Sequence, residues 1–338
     1  MTIYRANDER YQRLEYRRAG GSGLALPALS LGLWQKFGAD YPFERQREIV
    51  LHAFDLGITH FDNANRYGPP HRAAEQFFGR VLRADLAPYR DELILTTKAG
   101  NPIGPSPYLR GGSRKSLLAS LDHSLRDLGT EYVDIFYHHR FDPSTPLDET
   151  VGALVSAVQQ GKALYVGVSN YPTDRAREAA ALLRSAGVPL LVHQPRYSIF
   201  DRTPETSGLL DLASAEGFGL VAYSPLAQGL LTDKYLDGAV PPDARAAASA
   251  FLKPEQLDDV YRERAAALNK IAHDRGQSLA QLALQWVLRR PEITTALIGA
   301  SSTGQLDHNV AALDFPPLTD EDLARIDQYG IHGTAQRS

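Results

Sequence analysis

The sequence predicts an α/β chain folded as a closed (β/α)8 barrel, the TIM-barrel class, with an N-terminal hairpin and a long loop after the seventh strand. Three observations point there. Eight short β-branched or aliphatic runs alternate with helix-length segments, the signature of βαβ units in a parallel sheet. Polar residues recur at the C-terminal ends of successive runs, where barrel chemistry is built. No low-complexity tract or linker splits the chain, so residues 1–338 read as one domain. Counting alone also permits an open eight-stranded sheet.

The hairpin comes first, since Arg13–Leu26 carries Gly20-Gly21-Ser22-Gly23 between two short polar/apolar runs. The strands expected next are Ala28–Leu31, Thr59–Asp62, Leu93–Lys98 and Val133–Tyr137. Leu164–Val168, Leu191–Gln194, Gly219–Tyr223 and Thr294–Ile298 complete the eight. Helical periodicity runs through Phe43–Leu56, Ser113–Leu128, Leu147–Gln160 and Thr173–Ala186, and later through Leu257–Arg275 and Leu279–Arg290. Gly57, Gly129, Gly161, Gly187 and Gly217 each follow an apolar-periodic stretch, as helix-terminating glycines do. Ser113 and Thr319 are placed as N-caps. Ser224–Pro254, with four prolines, far exceeds the usual connection of about 2–6 residues and reads as a lid or ligand loop.

Composition removes several functions. With 36 basic against 40 acidic residues, the net charge of −4 argues against nucleic-acid binding through bulk charge. The chain has no cysteine, which excludes disulfides, thiolate metal sites and a cysteine nucleophile. The start, MTIYRANDERYQRLEYRR, has no apolar h-region, and no run of about 18 apolar residues occurs. A cytoplasmic protein without a membrane span is the expectation. No G-x-G-x-x-G follows a strand, no G-x-x-x-x-G-K-[ST] or G-x-S-x-G is present, and the histidines form no H-E-x-x-H. His138 and His139 are adjacent on a strand and point to opposite faces, so they cannot chelate a metal together, and no metal site is expected.

What remains is the set of strand ends. The second strand runs into His60-Phe61-Asp62-Asn63-Ala64-Asn65-Arg66-Tyr67-Gly68, and the third ends in Thr96-Thr97-Lys98. The fourth leads to His138-His139-Arg140, the fifth to Ser169-Asn170, the sixth to His193-Gln194-Pro195 and the seventh to Tyr223-Ser224-Pro225-Leu226. In a barrel these converge on one mouth. Taken singly, each has a plainer explanation: a turn tyrosine, a structural Lys–Asp pair, a hydrogen-bonded core histidine.

The ordered set G-I-T-H-F-D, Y-G-P-P, S-R-K-x-L-L-x-S-L-D, Y-V-D-I-F-Y-x-H-R and S-P-L-A-Q-G-L-L-T-x-K-Y resembles the aldo-keto reductases. The resemblance runs from Ser30-Leu31-Gly32-Leu33-Trp34 to Ile298-Gly299-Ala300-Ser301-Ser302. In detail it is similar to the bacterial L-glyceraldehyde 3-phosphate reductases, relatives of the potassium channel β subunits. The resemblance implies a catalytic tetrad of Asp62, Tyr67, Lys98 and His139. Chemically, a tyrosine holds its proton at neutral pH and can donate it, and a nearby ammonium favours the phenolate left behind. Asp62 would keep Lys98 charged, and a His139 ring N–H would orient the carbonyl oxygen.

The implied cofactor is NADPH/NADP+, strapped by the loop after the seventh strand. Ser169, Asn170 and Gln194 match positions that bind the nicotinamide carboxamide, and Tyr223 the aromatic that stacks on its face. Ser224, Leu226 and Gln228 match the pyrophosphate strap, and Lys234 and Arg245 the cations near the 2′-phosphate. Ser301, Gln305 and Asn309 match the last binding segment, at a helix N-terminus suited to an anion. Trp34, Asp62 and Gly299 complete the cofactor set. Ser302 and His308 depart from the Arg and Glu common in relatives. Trp34, Arg66 and Arg140 are placed as substrate contacts. The implied activity is reduction of small aldehydes, with L-glyceraldehyde 3-phosphate as candidate substrate and methylglyoxal-like aldehydes beside it. A homo-oligomer, tetrameric or larger, comes with the resemblance. The competing reading is a redox-sensing regulatory subunit with slow turnover, like the channel β subunits. Those commonly carry Asn where this chain has His139, which favours an enzyme.

Overall fold

The computed structural model describes residues 4–236 and 257–330. An antiparallel hairpin, β1 (Tyr16–Arg18) and β2 (Ala25–Pro27), precedes the barrel. The barrel strands are β3 (Leu29–Gly32), β4 (His60–Asp62), β5 (Ile94–Ala99) and β6 (Val133–His138), then β7 (Ala163–Ser169), β8 (Leu190–Gln194), β9 (Gly219–Tyr223) and β10 (Ile293–Ile298). All pair in parallel in chain order, and β10 closes on β3, which decides between the closed barrel and the open sheet. Each strand lies within about a residue of where the sequence places it.

The helices are α1 (Phe43–Asp55), α2 (Ala73–Val81), α3 (Arg114–Leu128), α4 (Leu147–Gln159), α5 (Thr173–Ser185), α6 (Thr203–Thr206) and α7 (Leu209–Glu216). After the loop come α8 (Asp259–Asp274), α9 (Leu279–Leu288), α10 (Thr303–Val310) and α11 (Asp320–Asp327). The terminators act as read from the sequence. Gly129 takes φ 68°, which a Cβ would disfavour, and its N–H closes α3 on Leu125 O at 2.9 Å. Ser113 Oγ accepts from Ser116 N, and Thr319 and Asp322 form a capping box on α11. Helix α2 escapes a sequence reading because it follows Pro-Pro and opens on Arg72 in the left-handed region (φ 73°), with no side-chain cap.

Two cores result. The larger lies between strands and helices, and the smaller fills the barrel with Leu26, Ile135, Tyr137, Leu191, Val221 and Leu297. Leu26 comes from the hairpin, whose turn packs on the first residue of β9: a Cβ on Gly219 would meet Ala19 at 3.1 Å. The hairpin therefore plugs the N-terminal end and leaves the C-terminal mouth for chemistry. No helix among the described residues is long and apolar enough to cross a membrane.

Candidate active site

Registry builds the centre. Asp62 pairs across β4–β5 with Thr96, and Lys98 lies two residues further on the same face of β5. Both point into the barrel mouth, where the Lys98 side chain is wholly buried and Asp62 is 1% exposed. Lys98 Nζ donates to Asp62 Oδ2 at 2.5 Å, to Asn63 O at 2.9 Å and to Tyr67 Oη at 3.2 Å. An ammonium has three protons, and these three acceptors use all of them. Tyr67 Oη accepts, so its own O–H remains to be given elsewhere. Asp62 is held by more than Lys98, since its Oδ1 accepts from Thr96 Oγ1 at 2.9 Å and Gln194 Nε2 at 3.1 Å.

His139 follows β6 and meets the Tyr67 ring edge-on, with centroids 5.9 Å apart. Its Nδ1 is buried without a protein partner. His138, on the opposite face as alternation requires, accepts or donates at Nδ1 to Tyr171 Oη at 2.6 Å. Burial, then the charge of Lys98, holds His139 well below the ordinary histidine range, so it is a neutral ring with one N–H. Burial, then the charge of Asp62, pushes Tyr67 well above an ordinary phenol, so it keeps its proton through the neutral range. Lys98 is lowered by burial, and the charge of Asp62 opposes that shift.

A second constellation adjoins it. Asn170 takes a left-handed conformation (φ 54°). Its Nδ2 donates to His139 O at 3.1 Å and to Ser169 Oγ at 3.0 Å, and its Oδ1 accepts from Tyr223 Oη at 2.7 Å. Ser169 Oγ donates to Gln194 O at 2.9 Å. Ser169, Asn170, Gln194 and Tyr223 thus form one network joined through Gln194 to Asp62. Trp34 lies partly buried just past β3, and Gly299 is exposed just past β10.

A third group lines a cavity of about 290 Å³ formed by Leu226, Lys234, Ser301, Ser302, Gln305, His308 and Asn309, among others. Lys234 has no ion-pair partner among the described residues. Asn309 Nδ2, and Gln228 Oε1 in the nearby turn, are buried without partners. Ser224, Ala227 and Gln228 all sit at positive φ. A strained loop, amides without partners and a lysine with no ion-pair partner among the described residues, all around a cavity, suit an anionic dinucleotide, so the residues present fit NAD(P)H. Ser302 caps α10 through Gln305 N at 3.2 Å, and His308 Nε2 lies 2.8 Å from Ser278 Oγ. Arg245 lies outside the described residues.

The two arginines diverge. Arg66 is half-buried, and its charge contributes to lowering His139. Arg140 is exposed and pairs with neither Asp142 nor Glu149, whose carboxylates accept from Gly112 N and Thr145 Oγ1 and from Arg114 N. Sequence reading assigned no role to Thr96 or to the Asn63 carbonyl. Thr96 carried a signal, being two residues before Lys98 on the same strand face.

The model of the aldo/keto reductase family matches residues 28–331. The chain is 53% identical over 335 residues to L-glyceraldehyde 3-phosphate reductase of Escherichia coli K12, covering 98% of this chain and 96% of that one. It is 36% identical over 309 residues to a probable voltage-gated potassium channel subunit β of Arabidopsis thaliana, covering 90% and 93%. A putative subunit of the same kind from Schizosaccharomyces pombe is 35% identical over 330 residues, covering 94% and 93%.

Proposed function

Because the chain belongs to the aldo/keto reductase family, we propose that it reduces small aldehydes to alcohols with NADPH, using Asp62, Tyr67, Lys98 and His139. The proton count at Lys98 carries this reading. With all three ammonium protons committed, Lys98 has none to give, and the Tyr67 hydroxyl it donates to keeps its own proton for the substrate oxygen. The bound nicotinamide supplies the hydride. The chain's own residues do the rest. His139, neutral, donates its ring N–H to the carbonyl oxygen and fixes it beside Tyr67. Tyr67 gives its proton to that oxygen as charge develops. Lys98, already bonded to Tyr67 Oη, stabilises the phenolate, and Asp62 holds the ammonium charged and in place.

Ser169, Asn170, Gln194 and Tyr223 would hold the nicotinamide end, with Trp34 and Gly299 at the rim. Ser224, Leu226 and Gln228 would strap the pyrophosphate. Lys234, Ser301, Gln305 and Asn309 would take the adenosine phosphate end. The candidate substrate is L-glyceraldehyde 3-phosphate, the compound in the name of the 53% identical relative, with methylglyoxal-like aldehydes beside it. A cytoplasmic homo-oligomer, tetrameric or larger, is part of the same reading, and light scattering checks its size.

The test is steady-state turnover on L-glyceraldehyde 3-phosphate, glyceraldehyde and methylglyoxal with NADPH and with NADH, in wild type and Tyr67→Phe. General-acid loss should cost about 100- to 10,000-fold in kcat while NADPH still quenches protein fluorescence on binding. Near-wild-type turnover in Tyr67→Phe would overturn the assignment. Uniformly very slow wild-type turnover would instead favour a regulatory subunit like the channel β relatives.

A further inference from the structure

Behind the barrel wall lies a polar group that the mechanism does not use. Glu75, in the first turn of α2, is wholly buried. Its Oε1 accepts from Thr97 Oγ1 at 2.5 Å, and Ser124 Oγ of α3 lies 3.5 Å from the same hydroxyl. Thr97 precedes Lys98 on β5, so its side chain takes the opposite, outer face of the strand. Oε2 of Glu75 has no partner, nor do the buried hydroxyls of Ser120 and Ser116, one and two turns back along α3. The same turn of α2 touches the other member of the proton-transfer pair: Ala74 N donates to Tyr67 O at 3.4 Å.

Glu75 therefore bridges the strand that carries Lys98 and the helix turn that holds Tyr67. A purely structural tie to Thr97 needs only an acceptor, which a glutamine supplies equally well. A buried carboxyl whose Oε2 has no hydrogen-bond partner is an expensive way to hold Thr97 and Ser124. What the carboxyl adds is a charge that can come and go next to Lys98.

We propose that Glu75 is a positioning residue for the proton-transfer pair, setting through Lys98 how readily Tyr67 gives up its proton. The proposal rests on the tetrad reading above. The charged and titratable groups around Glu75 are Lys98 from β5, Asp127 from α3 and Arg72 at the start of α2, the last two paired at 2.6 Å. Burial raises the Glu75 carboxyl from 4.5 to about 7; Thr97 and Ser124 oppose the rise, as does the charge of Arg72, and that of Asp127 adds to it. Below neutrality Glu75 is uncharged. As it ionises, its charge favours the Lys98 ammonium and opposes a second negative charge on Tyr67. The phenol then becomes a poorer acid and reduction slows.

The experiment compares wild type, Glu75→Gln, Thr97→Val and Tyr67→Phe with NADPH and glyceraldehyde from about pH 5.5 to about pH 8.5. Glu75→Gln copies the uncharged carboxyl. The ratio of its kcat to wild type should rise from about one to about threefold across neutrality, with KM unchanged. Thr97→Val removes a donor that favours the ionised carboxyl, so the same transition should move to higher pH. A Glu75→Gln ratio constant across pH, or a change confined to KM, leaves only a packing role and overturns the proposal. If Glu75→Gln does not fold, Thr97→Val decides: a shifted transition supports the proposal and an unshifted one overturns it. An active Tyr67→Phe sinks the tetrad reading itself. An inactive one beside a constant Glu75→Gln ratio sinks only the role of Glu75.

Discussion

Lys98 and Asp62 sit on neighbouring barrel strands, two residues out of register, and their 2.5 Å ion pair has essentially no contact with solvent. Such a pair is worth little as stability for its own sake, because both ions lose their hydration. Its value is the third proton of Lys98, which it leaves aimed at Tyr67.

Breaking that pair from one side should therefore cost twice. Lys98→Met leaves Asp62 buried with Thr96 and Gln194 as its remaining donors, at about 3–5 kcal/mol. In the proposed mechanism it also removes the charge that would stabilise the Tyr67 phenolate. Urea unfolding and single-turnover reduction should both show the loss. A variant as stable as wild type would overturn the cost assigned to the unpaired Asp62.

Cofactor choice should rest on Lys234, which faces the cavity without an ion-pair partner among the described residues. Lys234→Ala should weaken NADPH binding by about 1.5–3 kcal/mol, roughly tenfold to a hundredfold, and leave NADH unchanged. Fluorescence titration with both cofactors checks it. Equal losses would show that Lys234 acts on the loop and not on the 2′-phosphate.

A phosphorylated aldehyde needs a cation at the mouth, and Arg66 and Arg140 are the two candidates read from the sequence. Arg66 is the one whose charge reaches His139. Arg66→Ala should lower kcat/KM more for L-glyceraldehyde 3-phosphate than for glyceraldehyde, because a guanidinium binds phosphate by two parallel hydrogen bonds. The exposed Arg140 should show the same selectivity in weaker form. Parallel losses on both substrates would remove the phosphate role.

Acid should destabilise the fold through its buried histidines, His139 among them. Burial lowers His60, His138 and His193 from 6.5 to about 4 each. A base with a lowered folded pKa contributes stability that is present above its unfolded value and lost as pH falls toward the folded one. The histidine contribution should thus be level above about pH 7 and drop by several kcal/mol between about pH 6.5 and about pH 4, offset in part by Glu75, whose raised carboxyl adds stability as pH falls below about 7. In His193→Gln, urea midpoints should fall less steeply over that window. An unchanged slope would show that His193 is already protonated in the fold.

The sequence by itself determined the order of strands, the helix terminators, the two N-caps and the strand ends at which the proposed tetrad lies. All of these are written in periods of two to four residues, or in the rule that chemistry gathers where parallel strands end. Closure of β10 on β3 was beyond counting, because eight strands serve an open sheet equally well. Helix α2, without a cap at its start, was equally hidden. The tertiary structure alone decided which acceptor receives each Lys98 proton, and that Glu75 meets Thr97 across 22 residues of chain. It also brought Leu226, Lys234, Ser278 and Asn309 around one cavity. The reason is physical: side-chain direction follows from local backbone geometry, but partners far apart in the chain depend on register and twist accumulated around the whole barrel.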